Sequence, residues 1–175
     1  MRNYTDRWVV NNRMYQKITL GILIALIIGC GGQGADELFA AGEQAAADPT
    51  TIDEATTYFE TFVERHPEHQ KAPKALNKLA VLAQQQDRMQ EAIDYYQRIL
   101  AEYKGSGHGD EAQFMIAFIY EEYIRDVAKA KRAYQRVIDH YPDSELAASA
   151  RHLLPNVGRN PEDWVKFQDR GVSTQ

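Results

Sequence analysis

From about residue 36 onward, apolar residues recur three and four positions apart, the spacing that places side chains on one face of a helix. Ala55, Phe59 and Phe62 show it, as do Ala92, Tyr96 and Ile99, and Ala130, Tyr134 and Val137. The pattern predicts helix pairs at about 36–47 with 52–66, 72–85 with 88–103, and 110–124 with 127–140. A closing helix follows at about 144–154, ended by Pro155, and Asn160-Pro161-Glu162-Asp163-Trp164 signals one more short helix. Start signals precede the second helix of each pair. Thr51-Ile52-Asp53-Glu54 reads as a capping box, and Asp87 and Asp126 are candidate N-caps. Pro67 and Pro142 prevent continuation past the ends. No stretch alternates with period two for long enough to predict a strand, so the expected fold is all-α.

The helix pairs repeat. Ala55, Ala92 and Ala130 each precede an aromatic residue by four positions, at Phe59, Tyr96 and Tyr134. Phe62, Ile99 and Val137 keep step, as do Pro67, Lys104 and Pro142, and then Ala75, Ala112 and Ala150. A small residue lets two helices approach closely while the aromatic fills the space beside it. This pattern resembles the tetratricopeptide repeat. The family's marks fall on Leu76, Leu79, Ala80, Ala83, Ala92, Tyr96 and Ile99 in the middle unit. In the third they fall on Phe114, Ala117, Ala130, Tyr134, Val137 and Pro142. The family's Trp, Gly and Tyr positions are replaced by Leu76, Ala80 and Ala83 in the middle unit and by Phe114, Phe118 and Glu121 in the third. The resemblance implies a solenoid of about three helical hairpins over 36–154 with a C-terminal capping helix, leaving 155–175 as an extension. The long spacing and the Tyr141-Pro142-Asp143-Ser144 phrase are similar to a subset found in envelope lipoproteins. Among these are the lipoprotein subunit of the outer-membrane β-barrel assembly machine and the repeat protein of the Tol-Pal system.

The amino-terminal segment has a different character. Ile18 to Gly29 form an uncharged run of 12 residues, preceded by Arg13 and Lys17. A membrane-spanning helix needs ~20 apolar residues, so the run has the length of a signal-peptide core instead. It ends at Ile27-Ile28-Gly29-Cys30, which resembles the lipobox of bacterial lipoproteins. The resemblance implies removal of 1–29 and lipid on Cys30, with residues 30–35 as a short tether. Met14 is an alternative start for such a segment. Gly31 after the cysteine resembles lipoproteins sorted to the outer membrane, which implies an anchored chain facing the periplasm.

Composition sharpens this division. The chain of 175 residues carries 20 bases and 25 acids, of which four bases and one acid lie within 1–29. From Cys30 onward 16 bases therefore face 24 acids, a net of −8. An acidic domain argues against nucleic acid as partner. The single cysteine excludes an intramolecular disulfide and a cysteine-rich zinc site. The five histidines are scattered, so no metal site is expected. No nucleophile, acid pair or phosphate loop emerges, and neither catalysis nor a cofactor is expected. Gly105-Ser106-Gly107-His108-Gly109 lacks the Lys-Ser/Thr of a phosphate loop and follows a helix.

Partner binding is the better expectation. In a helical solenoid the first helix of each pair lines the concave side. On 110–124, Phe114, Ala117 and Phe118 match the core marks, while Ala112, Met115, Ile116, Ile119 and Tyr123 form a second apolar face. Two readings fit that face: burial against the 144–154 helix or the Trp164 segment, and a groove for a partner helix or extended peptide. One unit earlier the corresponding stripe contains Lys74, Asn77 and Lys78, which suit a carboxylate or simply a solvated surface. The expectation is a membrane-anchored scaffold binding envelope proteins, in outer-membrane protein assembly or envelope maintenance. Tol-Pal-linked and pilus-secretin accessory roles are alternatives within that class, and a subunit of a peptidoglycan-active enzyme is an alternative outside it.

Overall fold

A computed structural model describes residues 34–159. Among the described residues there are seven α-helices and no strand. They are α1 (Ala35–Ala45), α2 (Ile52–Arg65), α3 (Ala72–Gln85), α4 (Met89–Glu102), α5 (Gly109–Glu122), α6 (Val127–His140) and α7 (Glu145–Leu153). A 3₁₀ turn, Pro49–Thr51, leads directly into α2. The expected pairs are all present, with ends within a few residues of the expected bounds. Residues 1–29, read as a signal peptide, Cys30 and the Trp164 segment lie outside the described residues.

Helices pack mainly on their neighbours in sequence, α1 on α2 through α6 on α7, and α5 also touches α7. That is the connectivity of a solenoid, in which each unit buries its apolar face against the next. The second helix of every pair contributes the expected stripe to the core. Ala55, Phe59 and Phe62 are buried in α2, Ala92, Tyr96 and Ile99 in α4, and Ala130, Tyr134 and Val137 in α6. Against α2, Phe39 meets Phe59 and Phe62 edge-on, both at 5.5 Å between ring centroids. Gly42 makes this approach possible, because a Cβ there would lie 2.8 Å from the Phe59 ring.

The caps differ in part from expectation. Thr51 makes no capping bond; its hydroxyl donates to the carbonyls of Ala45 (2.7 Å) and Asp48 (3.0 Å). Asp48 is the cap instead, accepting from the Thr50 amide at 2.8 Å, because the 3₁₀ turn starts the helical segment one turn earlier. Asp87 sits in the left-handed region at φ 59°, which makes Arg88 the N-cap of α4. Asp126 does cap α6, accepting from the Lys129 amide at 2.9 Å. Ser144 caps α7 through the Ala147 amide at 3.0 Å. Past α7 the chain turns back: Val157 is buried, and Gly158, with φ 81°, lies against Val127 at the start of α6.

The repeat offset is not uniform. Helix α5 begins and ends 37 residues after α3, whereas α6 begins 38 residues after α4. The extra residue lies in the turn between α5 and α6. Before α4 the Arg88 amide donates to Ala83 at 2.8 Å, while before α6 the Asp126 amide reaches back one residue further, to Tyr120, at 2.9 Å. Ala75, Leu79 and Leu82 on α3 therefore correspond to Ala112, Ile116 and Ile119 on α5, and all six are buried.

Candidate protein-binding surface

This register corrects the expected groove on α5. Ala112, Ile116 and Ile119 are core, at 1%, 5% and 0% exposure, and present nothing to a partner. Met115 is half-buried and Tyr123 is 51% exposed, so only these two of the expected stripe reach the surface. Counting 37 residues from Lys74, Asn77, Lys78, Val81 and Gln85 on α3 gives Glu111, Phe114, Met115, Phe118 and Glu122 on α5. The outward face of α5 is thus an apolar strip of Phe114, Met115 and Phe118, all half-buried, between exposed Glu111 and Glu122. Phe114 and Phe118, expected in the core, belong to this face. The Phe114 ring stands edge-on to Tyr134 at 5.4 Å, and Phe118 stands edge-on to Tyr123 at 6.1 Å. Each aromatic is held from behind and leaves part of its surface to solvent. Val81 on α3, at 39% exposure, continues the apolar character on the preceding unit.

The expected polar stripe on α3 is partly answered within the chain. Lys74 lies 3.3 Å from Glu43 on α1, and Lys78 lies 3.9 Å from the same carboxylate. Lys71 pairs with Asp36 at 2.8 Å, and this cation holds the Asp36 carboxyl below its ordinary range. The ammonium groups of Lys71 and Lys74 also lie 5.0 and 5.1 Å from the Phe39 ring centroid. Asn77 is half-buried beside them. These pairs are exposed and each contributes little to stability. Their effect is to remove free positive charge from the α1–α3 part of the surface.

The tyrosines of the repeat are held as neutral phenols. Burial pushes Tyr96 up to about 12, while burial and the Glu121 carboxylate raise Tyr134, and burial and Glu60 raise Tyr95. They serve as packing groups, with Tyr95 and Tyr134 donating to Glu60 and Glu121 and Tyr96 accepting from Gln84. Among the described residues no cluster of His, Cys, Asp or Glu could hold a metal ion, and no helix is long and apolar enough to cross a membrane.

Two family models, both described as tetratricopeptide repeat, match residues 51–107 and 111–144, together more than half of the chain. This chain belongs to the tetratricopeptide-repeat proteins. The matched segments begin beside α2 and end beside α7, so the pairs α3–α4 and α5–α6 are repeats in the family's own sense. No curated protein matches the chain. Membership marks it as a protein–protein interaction scaffold, since an open solenoid offers surface rather than an enclosed cavity. The sequence pattern missed Phe114 and Phe118 as surface groups. The usable signal was Ala112, which already kept the 37-residue step from Ala75.

Proposed function

We propose that this tetratricopeptide-repeat chain is a lipid-anchored scaffold of the bacterial envelope, facing the periplasm from the outer membrane. In this reading it binds proteins that assemble or maintain that membrane. The observation that carries partner binding is the half-buried strip of Phe114, Met115 and Phe118 between Glu111 and Glu122. An amphipathic helix or extended segment fits such a strip, its apolar residues covering the aromatics and its cations meeting the flanking carboxylates. The anchor rests on the Arg13/Lys17 flank, the uncharged Ile18–Gly29 run and Cys30. Lipid on Cys30 would hold the repeats at the membrane and raise their effective concentration near partners there.

Partner binding is tested by placing a photo-crosslinking amino acid at Met115 and, separately, at Glu64 on the exposed side of α2. Envelope proteins captured from Met115 and absent from Glu64 support the reading. Equal capture from both positions counts against it. For the anchor, Cys30→Ser should release the chain from the membrane fraction and abolish labelling by a radioactive fatty acid. Retention with labelling intact would refute lipidation at Cys30.

A further inference from the structure

Helix α6 carries Lys129, Lys131, Arg132 and Arg136 against one acid, Asp139, in a region that is acidic overall. Three of these cations lie at i, i+3 and i+7, on one face. That face borders a cleft of about 240 Å³ between α4 and α6, with α5 as its floor. Lys129, Arg132 and Arg136 line it together with Gln97, Gln113 and Tyr120, and no carboxylate lines it. Gln113 is 4% exposed and donates to the Ala133 carbonyl at 3.4 Å. The Lys129 ammonium lies 5.1 Å from the Tyr120 ring centroid and 3.4 Å from Asp126. Asp126 is otherwise committed to capping α6, and the charges of Lys129 and Arg132 reach it. Arg132 and Arg136 make no hydrogen bond or ion pair with any described residue.

The other repeats lack this arrangement. The positions equivalent to Lys129, Arg132 and Arg136 are Glu91, Asp94 and Arg98 on α4, and Arg98 is paired with Glu102 at 3.1 Å. On α2 they are Glu54, Thr57 and Thr61. A residue pattern required by the repeat fold would recur in each unit, and this one does not. The floor residues Gln113, Ile116 and Tyr120 lie on the face of α5 opposite Phe114, Met115 and Phe118. The cleft is therefore distinct from the protein-binding strip.

We propose that this cleft is a binding site for a phosphate group, with Arg132 and Arg136 as the principal contacts and Lys129 in support. A phosphomonoester presents three terminal oxygens and close to two charges, and the phosphodiester of an anionic phospholipid presents two terminal oxygens and one charge. In both the oxygens are disposed tetrahedrally about phosphorus, so that two guanidinium forks can reach them from different sides. The cleft admits either, and the group recognised in both is the anionic phosphoryl centre.

The test uses the full chain in a neutral detergent, with its arginine side chains labelled for NMR. Inorganic phosphate and a short-chain phosphatidylglycerol are titrated separately. Saturable shifts of Arg132 and Arg136 with phosphate alone assign a small phosphate ligand, whereas saturable shifts with the lipid assign a headgroup. R132Q and R136Q should each weaken binding, and the double variant by about tenfold or more. R98Q, the equivalent change one repeat earlier, should leave it unaltered. No saturable shift with either ligand overturns the proposal. So does a loss in R98Q equal to that in R136Q, which would mark general surface electrostatics.

Discussion

The Tyr134 hydroxyl donates to the Glu121 carboxylate at 2.9 Å, and one repeat earlier Gln84 donates to the Tyr96 hydroxyl at 3.2 Å. In both units the penultimate residue of the first helix satisfies the phenol buried by the second. The polarity is opposite: Tyr134 gives its proton to a charged acceptor, whereas Tyr96 accepts from an amide. Glu121→Ala should cost about 1 kcal/mol, below the ~1.5–3 kcal/mol of a bond to a charged group, because Glu121 is half-exposed. Glu121→Gln should recover much of the loss. Urea unfolding of the two variants checks this, with the loss appearing in the midpoint rather than the slope.

The same phenols set the alkaline limit of the fold. Tyr96 is raised to about 12, and Tyr95 and Tyr134 are raised also, each by burial first. In the unfolded chain a tyrosine titrates near ~10. Above that pH the unfolded state has lost protons that the native state keeps, so stability falls as pH rises. The contribution is fully present below ~10 and disappears as pH climbs through the folded values. Thermal melts from neutral to strongly alkaline buffer should show a decline beginning near ~10, and Tyr96→Phe should reduce it. A flat profile through that window would contradict the burial argument.

Gly42 fixes the approach of α1 to α2. Ordinarily Gly→Ala inside a helix gains about 0.5–1 kcal/mol from propensity. Here the new Cβ would lie 2.8 Å from the ring of Phe59, which is fully buried and packed by Phe39. Overpacking of that kind costs about 1–3 kcal/mol, so the clash outweighs the propensity and Gly42→Ala should destabilise by about 1 kcal/mol. Gly42→Ala combined with Phe59→Leu should show a smaller clash than the single change predicts. A double-mutant cycle measures that coupling.

Arg125, at φ 62°, occupies the turn that carries the extra residue of the third unit. A left-handed conformation costs a non-glycine residue about 1–2 kcal/mol, and glycine offsets part of its own gain through unfolded-state entropy. The ion pair lost with Arg125, 3.7 Å from Glu122 and exposed, contributes little. Arg125→Gly should therefore stabilise the fold by up to about 1 kcal/mol, read as a raised unfolding midpoint. Asp87→Gly should gain less, because aspartate tolerates this region better than arginine.

The helix pairs were legible because α2, α4 and α6 each combine one apolar stripe with a polar remainder, and periodicity then fixes both type and facing. Helix α5 offers no such contrast. Phe114, Met115, Ile116, Ile119 and Tyr120 leave it apolar nearly all round, so two stripes fit equally and only the turn length decides between them. The 38-residue offset between Ala92 and Ala130, applied also to α5, puts Phe114 and Phe118 in the core and Ile116 and Ile119 at the surface. The extra residue lies after α5, and the correct step there is 37. The partners of Lys74 and Lys78 were illegible for a different reason. Glu43 lies 31 residues before Lys74, and only the docking of α1 on the folded unit brings them together.

That reassignment yields the sharpest separation between fold and function. Ile119 is fully buried, so Ile119→Ala removes core volume and should cost about 2–5 kcal/mol. Phe118 keeps part of its ring in solvent against Tyr123, and Phe118→Ala should cost less, about 1 kcal/mol. Partner capture should follow the opposite order. With the crosslinker at position 115, Phe118→Ala should lose captured protein at temperatures where it remains folded, whereas Ile119→Ala should retain it wherever it is folded. Measuring melting and crosslinking yield on the same two variants decides the matter. If Ile119→Ala loses capture while folded and Phe118→Ala keeps it, the partner does not dock on the outward face of α5.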